Sequence, residues 1–472
     1  MNKLYLAGEW TEGVETRTIN SPYDYRPVGE VHRASAEQYT IAVDRAVEAA
    51  REIREWPSHR IAAVLGAAGD YLASHAERIA ETLADEAGKP LIMGRIEVAR
   101  SLHIVEDGIE ECKRMGGESL PLDRRPWGEH AVGIIQRFPR GVIGAFTPFN
   151  FPLHLVAHKI IPALASRNAL VLKPASQTPM SALFWAEAFA RTDLPTGALS
   201  ILPGSPDAAG VLLTDERVKG ISFTGSAEVG WALRPQAPKK HVSLELGGNA
   251  GAIVHSDTDI ERAAGLLAMG SFAYAGQSCI STQRIFIQAG VYELFVDRLR
   301  KASETLGVGD PKSDDVVVGP LISIADAQRV EAWVKEAVDA GTEVITGHKL
   351  EGSVYHPTIL ARTDPEMKVR CAEVFGPVVT VSPYDSFDEA LALVNDSRYG
   401  LQAGVFTNDV NLINRAYRQL DVGGVIVNNT PTWRIDHMPY GGVKDSGDGR
   451  EGVRFAMEAM TEPKLLAMHF SA

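Results

Sequence analysis

GVIGAFTPFNFPLHLVAHKIIPALASRNALVLKP, residues 141–174, reads as strand, turn, helix and strand. GVIGAF (141–146) and ALVLKP (169–174) are short apolar runs of the length taken by a strand buried on both faces. The helix between them starts near Pro152. The same grammar continues through ALSILPG (198–204), KGISFTGS (219–226) and HVSLELGG (241–248), with helices starting near Pro179, Pro206 and Ala227. Strand and helix alternating in this way are the signature of a doubly wound parallel sheet. Such sheets bind ligands beyond the C-terminal ends of their strands. Asn150, Lys173, Ser226 and Glu245 all sit at or just past such an end.

Upstream, after a hairpin-like start (3–20), the Ala-rich stretches 36–55, 58–87 and 90–112 have the spacing of amphipathic helices. Gly88 is placed to stop a helix ahead of Pro90. Residues 118–140 carry Pro121, Pro126 and the alternating run AVGIIQR, which is strand and turn material. Downstream, a second α/β pattern begins near Asp257. Its strands are RIFIQ (284–288), EVITG (343–347), VVTVSPY (378–384), AGVFT (403–407) and GGVIVNN (423–429). PKLLAMHF (463–470) is a late strand that pairs back on the chain or with another subunit. The fold class expected is α/β, with two doubly wound domains.

Composition narrows the function classes. A chain of 472 residues makes two large domains or about three ordinary ones, at ~150 residues each. With 47 Lys and Arg against 60 Asp and Glu, the net charge is −13, which disfavours a nucleic-acid-coating role or binding to an anionic membrane. Three cysteines, Cys112, Cys279 and Cys371, cannot make a disulfide framework in so long a chain and fit a reducing compartment. Glu9 comes too early for a secretory apolar region, and the most apolar stretch, 160–172, is broken by Ser166-Arg167-Asn168. The tail HFSA carries no lipidation signal. A cytoplasmic protein with no membrane or nucleic-acid partner is expected.

Several residues have the chemistry of a site, each beside a plainer reading. Cys279, in YAGQSCISTQRIF, lies in a polar turn, as reactive thiols do, and is either a nucleophile or a packing residue. Cys112, beside two glutamates, and Cys371, with no evident activating group, read as packing. Glu245 ends an apolar strand, so desolvation raises its pKa toward that of a usable base; the alternative is pairing with a distant cation. Asn150 either caps the following helix or donates to a developing oxyanion. Lys173 is a turn lysine or a donor to cofactor ribose or phosphate, and GSAEVG (225–230) offers a helix N-terminus to a pyrophosphate. His154 and His158 have HxxxH spacing. The glutamate of HExxH is absent and no third ligand is spaced nearby, so no metal is expected.

Seven collinear segments together resemble the aldehyde dehydrogenase superfamily. They are TPFNFP with Asn150, LKPASQTP with Lys173, FTGS (223–226), LELGGN with Glu245, GQSC with Cys279, EVFGPV with Glu373 and Phe375, and PYGGVKDSG (439–447). The resemblance implies a cofactor domain (1–116 and 138–248), a catalytic domain (249–444) and an oligomerisation arm (117–137 and 456–472) that builds a homodimer or homotetramer. It implies that the Cys279 thiolate attacks the aldehyde and that Asn150 and the Cys279 N–H hold the oxyanion. Glu245 then activates the water that releases the acid. For the cofactor, NAD or NADP, it implies Thr147, Pro148, Phe149, Lys173, Ser176, Phe223, Gly225, Ser226, Val229, Leu246, Gly247, Glu373 and Phe375. For the substrate it implies a tunnel of Phe151, His154, Leu155, His158, Ser278, Ile280, Thr432, Arg434 and Tyr440.

Two departures carry information. Phe149 stands where the family often has Trp, a tolerated change. Ser176 stands where NAD-preferring members often have Glu. A glutamate repels a 2′-phosphate, whereas serine leaves room and donates a hydrogen bond, so NADP acceptance is expected. The tunnel's histidines, Ser278, Thr432 and Arg434 suit a small hydroxylated or anionic aldehyde, such as lactaldehyde, glyceraldehyde or its phosphate, or succinic semialdehyde, since burying them against an alkyl chain is costly. Phe151, Trp433 and Tyr440 keep an aromatic aldehyde open as the alternative. Two rival functions are a CoA-acylating dehydrogenase, against which Glu245 argues because that branch lacks this base, and a non-catalytic member of the fold.

Overall fold

The structure, a computed structural model, describes residues 2–470. The five apolar runs become neighbouring parallel strands of an eight-stranded sheet, in the spatial order Leu199–Ile201, Ala169–Lys173, Val142–Phe146, Val218–Thr224, His241–Glu245. From Val142–Phe146 the chain winds outward one way and then returns to lay Val218–Thr224 on the other side. That reversal opens a crevice at the strands' C-terminal ends. Antiparallel edge strands Leu4–Leu6, Glu9–Thr11 and Gly447–Asp448 complete the sheet. Helices Ser58–Ser74, Leu91–Arg114, His154–Ala165 and Pro179–Phe189 pack into the core on one face, and Ala36–Ile53 covers the other. Ser35 and Gln38 start that last helix with a reciprocal capping box. Ala169–Lys173 is buried along its whole length, as a central parallel strand must be.

The second sheet has seven strands, ordered Glu343–Thr346, Thr358–Ala361, Val378–Tyr384, Thr282–Gln288, Ala250–Val254, Gln402–Phe406, Gly424–Val427, all parallel except the first. It differs from the sequence expectation in starting at Ala250, not near Asp257. AGAIV follows LELGGN without a polar turn, so its boundary leaves no mark in the pattern. Thr358–Ala361, four residues between turns, was also not expected. The stretch 58–87 is two helices rather than one, Ser58–Ser74 and Ala76–Ala87, broken at His75. There the His75 ring bonds the Tyr71 carbonyl at 2.8 Å and the Ser74 hydroxyl donates to the same oxygen, which competes with the helical ladder. Gly88, at φ +63, ends the second of them in the left-handed conformation that glycine takes at helix ends.

The late strand pairs back within the chain. Thr461–His469 lies antiparallel to Ala131–Pro139, which Glu118–Pro121 flanks in turn. Met1, and Ser471 and Ala472 of the 456–472 span, lie outside the described residues. Among the described residues no helix is long and apolar enough to cross a membrane.

Candidate active site

A cavity of about 630 Å³ opens between the C-terminal ends of the first sheet and the loop that leads into Thr282–Gln288. Tyr274 and Ala275 in that loop have φ of 53° and 54°, a conformation non-glycine residues rarely adopt. Gln277 holds the bend: its side chain donates to the Tyr274 and Pro320 carbonyls and accepts the Ile322 N–H at 2.9 Å. Ser278, Cys279 and Ile280 are thereby turned into the cavity. From the facing sheet, two glycines let the backbone come close. A side chain at Gly248 would lie 2.2 Å from the Cys279 carbonyl, and one at Gly247 would lie 2.2 Å from a Glu373 carboxylate oxygen.

Cys279, Glu245 and Asn150 all line this cavity. Burial pushes the Cys279 thiol up to about 12, and a hydrogen bond with Tyr440, Sγ to Oη 2.8 Å, opposes that rise. Glu245 is buried with neither carboxylate oxygen hydrogen-bonded. Its pKa is raised well above the usual carboxylate range, first by burial and then by repulsion from Glu451. It is therefore not the partner of a distant cation. Asn150 does not cap the helix either. Glu97 does so from Leu91–Arg114, one oxygen accepting the N–H groups of Leu153 and His154, both at 3.0 Å. Asn150 instead donates from Nδ2 to the Gln277 carbonyl at 3.1 Å, leaving Oδ1 buried without a partner. A thiol, a proton-accepting carboxyl and an amide donor thus converge on one enclosed space, the arrangement needed for acyl chemistry on a carbonyl.

A profile of the aldehyde dehydrogenase family matches residues 10–466. The chain belongs to the aldehyde dehydrogenase family. It is 43% identical over 467 residues to a 3-sulfolactaldehyde dehydrogenase of Priestia aryabhattai, covering 99% of this chain and 98% of that one. It superposes with TM-score 0.97 at 39% identity on aldehyde dehydrogenase 21 of Physcomitrella patens in complex with the reaction product succinate, over 99% and 98% of the two chains. It also superposes with TM-score 0.97 at 32% identity on an NADP-dependent glyceraldehyde-3-phosphate dehydrogenase of Bacillus halodurans C-125 complexed with NADP, over the whole of both chains. The activity of this family member is NAD(P)-dependent oxidation of an aldehyde.

Of the residues assigned to the enzyme's substrate, Phe151, His154, Leu155, Ser278, Ile280, Thr432, Arg434 and Tyr440 line the cavity. His158 does not. It lies one helical turn deeper, 1% exposed, and its Nε2 accepts from Arg434 Nη2 at 2.9 Å. The helix presents His154 to the wall and keeps His158 behind it as a support for Arg434. Both histidines have lowered pKa values, chiefly from burial and then from Arg100 (His154) or Arg434 (His158), so both are neutral.

Spacing gave no hint of the charged network around them. Arg100, Asp436, Lys159 and Glu451 come from distant segments with no local motif. Asp436 takes two hydrogen bonds from Arg100 and one from His154 Nε2 at 3.1 Å. Burial opposes its ionisation, but those bonds hold its carboxyl far below the usual range. Glu451 pairs with Lys159 at 2.8 Å and Arg434 at 3.2 Å and is likewise held ionised despite burial. Asp436 supplies the third ligand-like group that the sequence lacked, within 4.8 Å of both histidines. Arg100 covers both its oxygens and Arg434 lies beside it at 3.6 Å, so a divalent cation would meet two guanidinium groups. The cluster reads as an ion-pair network.

Of the cofactor residues, Pro148, Phe149, Gly225, Ser226, Leu246, Gly247, Glu373 and Phe375 line the same cavity, whereas Thr147, Lys173, Ser176, Phe223 and Val229 do not. Lys173 ends its strand almost buried, its ammonium bonded to the Pro174 carbonyl at 3.1 Å. Burial, with repulsion from Arg33 and Arg17, lowers it to about 8. Ser176 is half-buried just beyond, and Val229 is exposed on Ala227–Leu233. These groups fit a dinucleotide. Thr147 Oγ1 is buried without a partner. Glu373, raised to about 7 by burial, bonds the Gly248 N–H at 2.9 Å and suits ribose hydroxyls.

Proposed function

We propose that this aldehyde dehydrogenase acts on a small aldehyde with an anionic or hydroxylated tail, prefers NADP, and uses Cys279 as nucleophile, Asn150 as oxyanion donor and Glu245 as base. The observation that carries the substrate class is Arg434. Its side chain is almost buried in the cavity wall, and its Nε–H, 3.6 Å from Asp436 Oδ1, is too far from that carboxylate to make a hydrogen bond. A buried donor left unpaired is costly, and a carboxylate, sulfonate or phosphate oxygen satisfies it. Arg100, on the same wall, adds a second guanidinium. The network also holds three cations, Arg100, Arg434 and Lys159, against two ionised carboxylates, Asp436 and Glu451. That leaves one positive charge for a substrate anion to balance. The relative named for 3-sulfolactaldehyde, and the one complexed with its reaction product succinate, handle molecules of this kind.

The chemistry follows from the residues. Cys279 Sγ gives its proton to solvent water and, as the thiolate, bonds the aldehyde carbon, while the carbonyl electrons move to an oxygen held by the second Nδ2–H of Asn150 and the Cys279 N–H. Such a donor is worth about 10²–10³ in rate. A bound nicotinamide cofactor, held by Glu373 and the Thr147–Phe149 segment, would supply the acceptor for the hydride of this carbon. The product on the enzyme is a thioester of Cys279. Glu245 takes a proton from water, whose oxygen bonds the acyl carbon as the C–S bond breaks and the thiolate departs. Release to water distinguishes this from the CoA-acylating rival.

For the cofactor, Ser176 near Lys173 leaves room for a 2′-phosphate, and Arg33 and Arg17 bring positive charge close to Lys173. The spans 1–116 and 138–248, 249–444, and 117–137 with 456–472 are proposed as the cofactor, catalytic and arm units. The exposed Val132, Leu465 and Leu466 make the arm's sheet a surface for dimer or tetramer assembly.

The test is a panel of anionic, hydroxylated, alkyl and aromatic aldehydes with both cofactors, using Cys279→Ala as the control. Highest kcat/KM on an anionic or hydroxylated aldehyde with NADP is expected. Hexanal or an aromatic aldehyde outperforming all of these would overturn the substrate reading, and turnover by Cys279→Ala would overturn the nucleophile.

A further inference from the structure

Tyr440 makes a contact that lining a tunnel does not require. Its hydroxyl lies 2.8 Å from Cys279 Sγ and makes no other hydrogen bond among the described residues. The residue is buried. Its ring lies against Arg434, with Cζ 3.8 Å from the ring centre. Its backbone exchanges two hydrogen bonds with Glu451, at 3.1 and 2.6 Å. Guanidinium, backbone and sulfur therefore fix the phenol in one orientation.

We propose that Tyr440 is a catalytic residue of this reaction, its O–H donating to the Cys279 sulfur and favouring the thiolate that attacks the aldehyde. The inference rests on Cys279 being the nucleophile. A neutral thiol is a weak acceptor and a thiolate a strong one, so a donor fixed at this distance favours the charged form. The Arg434 cation over the ring draws electron density from the phenol and strengthens it as a donor. Burial works against the thiolate, so a donor from the protein offsets part of that cost. No proton crosses this hydrogen bond. When sulfur bonds the aldehyde carbon, its charge and the hydrogen bond both diminish. When the thioester breaks, the leaving thiolate meets the same donor, so both halves of the reaction gain.

Tyr440→Phe keeps the ring against Arg434 and removes only the donor. The readout is the rate of Cys279 alkylation by iodoacetamide against pH, with the modified peptide identified by mass and turnover followed in parallel. Expected are an ionisation midpoint moved to higher pH, alkylation at pH 7 slowed at least about tenfold, and kcat lowered more than the aldehyde KM is raised. An unchanged or acid-shifted profile would overturn the proposal. As a second arm, 3,5-difluorotyrosine placed at 440, a stronger donor, is expected to move the midpoint to lower pH, and no movement would count against the proposal. Full alkylation of Cys279 with turnover retained would instead overturn the nucleophile on which it rests.

Discussion

Arg100 and Asp436 form a two-point ion pair, Nε to Oδ2 at 3.1 Å and Nη2 to Oδ1 at 2.5 Å, across 336 positions of sequence. The pair ties the long helix Leu91–Arg114 to the loop that carries Arg434 and holds both guanidinium groups on one cavity wall. Arg100→Met should therefore discriminate between substrates. Losing one of two cations around a desolvated anion lowers kcat/KM for an anionic aldehyde roughly 10²-fold. A neutral aldehyde of the same length should change by a few-fold only, as steady-state kinetics on a matched pair would show.

As the proposed base, Glu245 should set the pH dependence of thioester release. Only its carboxylate accepts a proton from water, and burial followed by Glu451 raises its pKa well above the usual range. The hydrolytic step should therefore speed up as pH rises through that raised value and be slow where an ordinary carboxylate is already ionised. Stopped-flow at the acid end should show a burst of reduced cofactor ahead of a slow steady state. In Glu245→Gln the burst should remain, the pH-dependent limb should vanish, and the steady-state rate should fall about 10²–10⁴-fold.

Ser176→Glu places a carboxylate near Lys173, where a 2′-phosphate is expected. Like-charge repulsion should weaken NADPH binding about tenfold or more, while NADH binding holds or improves. Fluorescence titration of the two reduced cofactors would measure this without turnover.

Lys89 and Glu97 form an ion pair with both side chains fully buried, and the Lys89 ammonium lies 3.7 Å from the centre of the Phe151 ring. Glu97→Ala strands that ammonium and uncaps His154–Ala165. The cost is expected to be about 3–5 kcal/mol, read as a lowered urea midpoint. Lys89 is already held down to about 8 by burial despite Glu97, so the variant's ammonium should titrate lower still.

Legibility divided along physical lines. The parallel strands and the segments bearing Asn150, Glu245 and Cys279 could be read from sequence, because burial on both faces demands continuous apolar runs and strand ends are punctuated by glycine and proline. The joint at His75 was missed because Tyr71, Ser74 and His75 fit an amphipathic helix equally well. Ala250–Val254 was missed because it abuts the preceding motif without a turn. His158, placed in the tunnel by resemblance, lies behind its wall, because a family motif marks a helix without saying how deep each of its residues lies.

The amino-acid sequence alone determined the α/β class, the family and the identity of the thiol, carboxyl and amide candidates, because periodicity and short motifs are local properties. Only the tertiary structure decided which charges line the cavity, that Glu97 and not Asn150 caps the helix, and that the Tyr440 hydroxyl meets the Cys279 sulfur. Those outcomes depend on desolvation and on pairs of residues up to hundreds of positions apart, and neither leaves a trace in the spacing of residues along the chain.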